Sequence, residues 1–419
     1  MTSPLGTSGP HDSARHHMTG AARYTDDLRP SGCLLAGLVA SPHPHARITK
    51  RCGRAAQAVP GVKKVLFASD IPGEGVIGPI VHDEPVLADK TVLYHGHPVA
   101  VVVAENAEAL RLGTAAVEVD YEVLEPVLSI DEAIAADAFS TAAHTIARGD
   151  VDRALAAAET IVEGRLASPA QDHFYLETHA ALARPGEGVG QPTSMHIISS
   201  SQHPTEVQRM AARVLGWAHS AVTCEVVRVG GGFGGKESQA SNIGALAALA
   251  AAATLRPVAL TLNRHDDMTI TGNRHPFDSR YRAGFDRKGT LVALAVDTFS
   301  DGGFSTDLSP GVMDRCLYHL DNAYFIQDLR FTGRVARTNH ASNTAFRGFG
   351  GPQGMVVVED AINRFAERSG RDPASVRQHN FYSQEEGRNV APYGQKLDRI
   401  RLQDLWGQLS KSSDYTARR

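Results

Sequence analysis

Between Cys33 and about Ile134 the hydrophobic positions fall in short runs of strand length: "LLAGLVAS", "VKKVLFAS", "PVAVVVA" and "AAVEVDYEVL". Pro/Gly turns at "VPG" and "IPGEG" and one stretch of helical spacing, "AENAEALRLGTAA", separate them. This pattern predicts a small α/β domain over residues 20–134. Residues 1–19 are mostly polar and read as a flexible arm whose histidines are solvated rather than metal-bound. Residues 135–150, which include "ADAFSTAAHTIARGD", read as a linker with a boundary near Thr145. The amphipathic "VDRALAAAETIVEG" then opens a larger domain expected over 151–419. Strand-like "VALTLN", "LVALAVDTFSD" and "LRFTGRVART" alternate there with helical "TEVQRMAARVLG", "SNIGALAALAAAAT" and "GMVVVEDAINRFAERSG", without a repeat of fixed period. The expected fold class is mixed, α/β together with α+β.

Composition narrows the function classes. At 419 residues, 42% hydrophobic and 21% charged with a net charge of -4, the chain has no basic excess to favour nucleic acid or an anionic membrane. No apolar run is long enough to span a bilayer, "IGALAALAAAAT" being too short, so a soluble cytoplasmic protein is expected. Cys33, Cys52, Cys224 and Cys316 lie far apart with no CxxC pair, which reads as reduced core thiols and excludes a zinc or iron–sulfur site built by this chain.

The stretch "VGGGFGGKES", Val229 to Ser238, carries the chemistry. Gly230, Gly232 and Gly235 fit GxGxxG after the strand-like "CEVVRV", but the loop falls mid-chain and no acid follows some twenty residues on, as a dinucleotide fold requires. Gly230, Gly235 and Lys236 fit GxxxxGK, yet Glu237 stands where a magnesium-binding hydroxyl belongs, and a carboxylate repels phosphates. What remains is a backbone permissive enough for N–H groups to approach a ligand closely, next to a helix start. A second glycine loop, "NTAFRGFGGPQG", embeds Arg347 and Phe349, a fixed guanidinium and a flat apolar face.

"GGGFGGKE" and "AFRGFGGPQ", together with "QDHFYLET", "RHPF" and "GHPVAVVVAE", resemble the molybdenum-binding subunit of the xanthine dehydrogenase/oxidase family, from about Gly20 to the C-terminus. The resemblance implies a small hammerhead-like domain followed by the first large molybdopterin-binding domain. It also implies roles for particular residues. Gln202 would hydrogen-bond an oxygen ligand of the molybdenum, Phe233 and Gly234 would lie against the metal centre, and Arg347 would contact the cofactor. Glu237 and Arg315 would grip the purine, and Phe349 would stack on it.

Elementary chemistry fits those roles. Hydroxylating an electron-poor ring carbon builds negative charge on the ring, which a preorganised cation such as Arg315 disperses. Glu237 can accept from a ring N–H or, with its pKa raised by burial, donate a proton.

The chain stops close to where the first molybdopterin domain of the resembling family ends. The second such domain is therefore expected to be absent, and with it the general-base glutamate, so that no catalytic residue of that kind lies in this chain. Iron–sulfur clusters and FAD are expected on partner chains, as is the second molybdopterin domain if the gene is split. The expected function is one component of an enzyme oxidising hypoxanthine or xanthine towards urate. An aldehyde or N-heterocycle oxidase subunit is the alternative within the family, the carbon monoxide-oxidising branch being disfavoured by the lack of a cysteine in "AFRGFGG". A non-catalytic assembly or cofactor-binding module is the alternative outside it.

Overall fold

The computed structural model describes residues 5–188, 192–385 and 387–419. Two sheets dominate. The larger has seven strands in the order Val222–Glu225, Met195–Ser199, Ala180–Pro185, Val258–Thr261, Leu34–Ala40, Pro98–Ala104, Val62–Phe67. Every residue of Pro98–Ala104 is buried, which explains why this run is continuously apolar rather than alternating. The helix Ala240–Thr254, mostly alanine and leucine, and the amphipathic helix Pro204–Leu215 pack together beside this sheet. Proline in the first turn and Gly216 in the left-handed C-cap position (φ 68°) delimit the latter.

The second sheet has five strands, Thr160–Ser168, Phe277–Phe285, Leu291–Asp301, Asp328–Ala336 and His144–Arg148. The helices Ser309–Leu317 and Gly351–Ser369 share its core, in which Phe285 stacks on Phe365 with ring centres 4.0 Å apart. A three-stranded sheet of Ala46–Cys52, Thr91–Val92 and Glu118–Val123 completes the N-terminal part.

Three features differ from the hydrophobic reading. The large sheet crosses the expected boundary: Leu34–Ala40 pairs in parallel with Val258–Thr261, Leu34 lying opposite Val258. The stretch read as a linker supplies the edge strand His144–Arg148, which pairs with Asp328–Ala336. "VDRALAAAETIVEG" divides into the helix Val151–Ala157 and the start of the strand Thr160–Ser168, the break falling at extended Ala158. All four cysteines are free, but only Cys316 is buried; the others are partly exposed, a correction to the expectation of core thiols. Among the described residues no helix is long and apolar enough to cross a membrane.

Candidate active site

The glycine loop begins after the strand Val222–Glu225 and ends where the helix Ala240–Thr254 starts. Phe233 (φ 52°) and Gly234 (φ 101°) both sit in the left-handed region, a strained choice for an aromatic residue. A Cβ on Gly234 would stand 2.7 Å from the Ala345 carbonyl oxygen, and one on Gly232 would stand 2.4 Å from Gln202 Oε1. The close approach of chain to chain therefore demands glycine. Gln202 Oε1 accepts from the N–H groups of Gly234 at 2.9 Å and Lys236 at 3.3 Å, which fixes its amide against the loop.

The second loop meets the first directly, through the Arg347 N–H donating to the Phe233 carbonyl at 2.9 Å. It repeats the same backbone device, with Phe349 (φ 49°) between Gly348 (φ 99°) and Gly350 (φ 90°). Two of the remaining quoted motifs brace it. Arg274 of "RHPF" lies over the Phe346 ring, 3.9 Å from its centre, and donates to the Arg347 carbonyl. His173 of "QDHFYLET" stacks on Phe346 at 4.5 Å, its Nε2 lying 2.7 Å from the Ala345 carbonyl oxygen.

Where the two loops cross, several donors are left open. Among the described residues the N–H groups of Gly231, Gly232, Phe233, Gly348 and Gly350, the Gln202 Nε2 and the Arg347 guanidinium have no hydrogen-bond partner. Such a set suits an acceptor-rich, anionic group such as a phosphorylated pterin bearing oxo ligands. The residues present fit a molybdopterin.

Arg315 and Phe349 come together in an open groove of about 610 Å³, lined also by Gly311, Asp314, Tyr318, His319 and Tyr393. Gly311 and Arg315 are one turn apart on the helix Ser309–Leu317 and share a face. The absence of a side chain at Gly311 admits the Phe349 ring, whose Cε1 would be 3.2 Å from a Cβ there. Asp314, the obvious surface partner for Arg315, is instead bonded to His144 Nδ1 at 2.6 Å. The Arg315 guanidinium is thus unpaired among the described residues.

Glu237 does not line that groove. It is half-buried on the glycine-loop side, and desolvation raises its carboxyl pKa against the opposing influence of His203. Nor does it cap the following helix, whose N-cap Gln239 has no side-chain capping bond. The structure therefore groups Gln202, Phe233, Gly234 and Arg347 at the crossing of the loops, with Glu237 beside them through its N–H bond to the Gly234 carbonyl at 3.3 Å, and Arg315 with Phe349 in the groove.

Sequence reasoning missed the support beneath the loop. Lys236 is fully buried and bonded to Glu177, with Tyr175, His179 and Asp267 behind it. The clue available was "QDHFYLET" itself, which places Tyr175 and Glu177 two residues apart.

Comparison with known proteins agrees with this geometry. Residues 135–381 match the molybdopterin cofactor-binding domain, and residues 19–125 match the a/b hammerhead domain of aldehyde oxidase and xanthine dehydrogenase. The class is a chain in which a hammerhead domain precedes a molybdopterin cofactor-binding domain. The chain belongs to the family of xanthine dehydrogenases and aldehyde oxidases.

It is 39% identical to a xanthine dehydrogenase of Dictyostelium discoideum over 97% of this chain and 30% of that protein. It is 40% identical to the xanthine dehydrogenase/oxidase of Gallus gallus, over 98% of this chain and again 30% of the relative. The aldehyde oxidoreductase of Desulfovibrio gigas superposes with a TM-score of 0.89 at 29% identity, over 96% of this chain and 46% of that one. The chain thus spans about a third of the length of the curated relatives it matches.

Proposed function

We propose that this chain supplies the cofactor-contacting and purine-gripping residues of a molybdenum hydroxylase that oxidises hypoxanthine or xanthine towards urate. The observation that carries the reading is the unpaired Arg315 guanidinium in one groove with the Phe349 ring, beside a donor-lined crossing of two glycine loops. The names of the relatives at 39–40% identity support a purine.

When bound, the molybdenum cofactor supplies the redox and oxygen-transfer chemistry. Gln202, the open N–H groups of Phe233 and its glycine neighbours, and Arg347 would hold it by donating hydrogen bonds. Phe349 presents a flat face on which a heterocycle stacks, restricting it to the plane in which it reacts. Arg315 places a positive charge where the ring becomes electron-rich, and such a charge is worth a few kcal/mol once water is excluded from the open groove. Glu237, its pKa raised by burial, holds a proton more readily than an exposed glutamate and is suited to a ring nitrogen or carbonyl.

The general base, the second molybdopterin domain, the iron–sulfur clusters and FAD are assigned to the remainder of the enzyme or to partner chains. Four free cysteines accord with a cytoplasmic setting.

Steady-state turnover of xanthine, hypoxanthine and an aromatic aldehyde by the complete enzyme tests the proposal. Purines are the expected substrates. Aldehyde turnover without purine turnover would move the reading to an aldehyde oxidase, and a complete enzyme that binds molybdopterin but oxidises neither would make the chain an assembly module.

A further inference from the structure

Lys236 is 0% exposed. Its Nζ donates to the Glu177 carbonyl oxygen at 2.6 Å, lies 3.3 Å from Glu177 Oε2, and sits 4.6 Å from the centre of the Tyr175 ring. The other end of the loop goes to the same glutamate. Glu177 Oε2 accepts from the Gly230 N–H at 2.7 Å, and the Glu177 N–H donates to the Gly230 carbonyl at 3.1 Å. The fit is close, since a Cβ on Gly230 would meet Glu177 Cβ at 2.5 Å. Gly230 opens the glycine loop and Lys236 closes it, so one carboxylate holds both ends.

The anchor is itself anchored. The Tyr175 hydroxyl donates to Asp267 at 2.6 Å, and Asp267 also accepts the His179 N–H at 2.6 Å. Arg264 donates to the Tyr175 carbonyl and lies over its ring on the way, 5.6 Å from the centre. A buried ion pair is a costly way to stabilise a fold, because desolvation cancels much of the attraction; its usual value is to fix one arrangement. Here the arrangement fixed is the loop.

We propose that the Lys236–Glu177 pair is a positioning clasp, which sets the curvature of Gly230–Lys236 and so where the open N–H groups of Gly231, Gly232 and Phe233 and the Gln202 amide stand. The inference rests on reading that loop as the face that meets the molybdenum cofactor, and it adds the residues that hold the face in place. Lys236 and Glu177 are positioning residues that act through the backbone.

Hydrogen exchange measured peptide by peptide on the complete enzyme tests it, comparing wild type with Lys236→Met and Glu177→Gln. Methionine fills much of the lysine's volume without its charge, and glutamine keeps an acceptor for the Gly230 N–H. In both variants the hydrogen-bonded amides of Gly234, Gly235, Lys236 and Glu237 should exchange about tenfold faster, while those of the helix Ala240–Thr254 keep their wild-type rates. Bound molybdenum and pterin per chain should fall with the change in the loop. Unchanged loop exchange in a folded variant overturns the clasp, as does an equal rise in the helix or a failure of both variants to fold, either of which makes the pair an ordinary core element. A wild-type enzyme without molybdenum would refute the proposed function, and the exchange rates would still decide the clasp.

Discussion

The Arg347 N–H donates to the Phe233 carbonyl at 2.9 Å, joining two glycine loops that lie far apart in the chain. Each loop turns on a phenylalanine in the left-handed region followed by a glycine with positive φ, Phe233–Gly234 in one and Phe349–Gly350 in the other. Aromatic residues adopt that backbone only where their surroundings enforce it. The joint between the loops is thus built from strained segments held by a direct backbone contact.

Gly234→Ala strikes this joint. The new methyl would lie 2.7 Å from the Ala345 carbonyl oxygen at a φ of 101°, so the loops must separate. A destabilisation of about 2–3 kcal/mol is expected in denaturant unfolding, with a parallel loss of bound molybdenum.

Gly311→Ala should do the opposite to the fold. Alanine is favoured over glycine by up to about 1 kcal/mol in a helix, and Gly311 lies in the first turn of Ser309–Leu317, where the gain is smaller. Its methyl would press on Phe349 at 3.2 Å, displacing the ring that lines the groove. Thermal stability should hold or rise slightly while KM for a purine rises several-fold, which calorimetry and steady-state kinetics would separate.

A buried carboxyl at the contact between the N-terminal region and the rest gives a pH signature. Burial raises Glu84 from 4.5 to about 8, with the charge of Asp307 acting in the same direction and hydrogen bonds from Asn242 and Ser305 opposing it. Asp307 is itself raised to about 6, chiefly by burial. A raised acid pKa means that between 4.5 and about 8 the folded state keeps a proton the unfolded chain has lost. This contribution to stability is full below that window and is lost as pH rises through it. Melting temperature across the window should therefore fall less steeply with pH in Glu84→Gln than in the wild type; identical slopes would show that Glu84 titrates normally.

Much of this was legible in the sequence for physical reasons. Glycines crowded around one phenylalanine announce backbone contact, and Gly232 and Gly234 do have neighbours where a side chain would be. The buried runs "PVAVVVA" and "IGALAALAAAA" became an interior strand and a core helix because nothing polar interrupts them. The reading stopped where contacts are long-range. No local signal tells that Leu34 pairs with Val258, or that Asp314 turns to His144 and leaves Arg315 free. Lys236 matched the lysine of a GxxxxGK pattern without a role of its own, because its partner Glu177 lies 59 residues earlier and draws it into the interior.

The most direct test of the central claim compares kcat/KM for xanthine and for an aromatic aldehyde in the complete enzyme, with and without Arg315→Ala. Loss of a charge-stabilising group worth a few kcal/mol should lower the purine value at least about a hundredfold and the aldehyde value far less. Because the guanidinium has no protein partner among the described residues, stability should be unchanged. Purine turnover indifferent to Arg315, in an enzyme loaded with molybdenum, would contradict the assignment of this groove to the substrate.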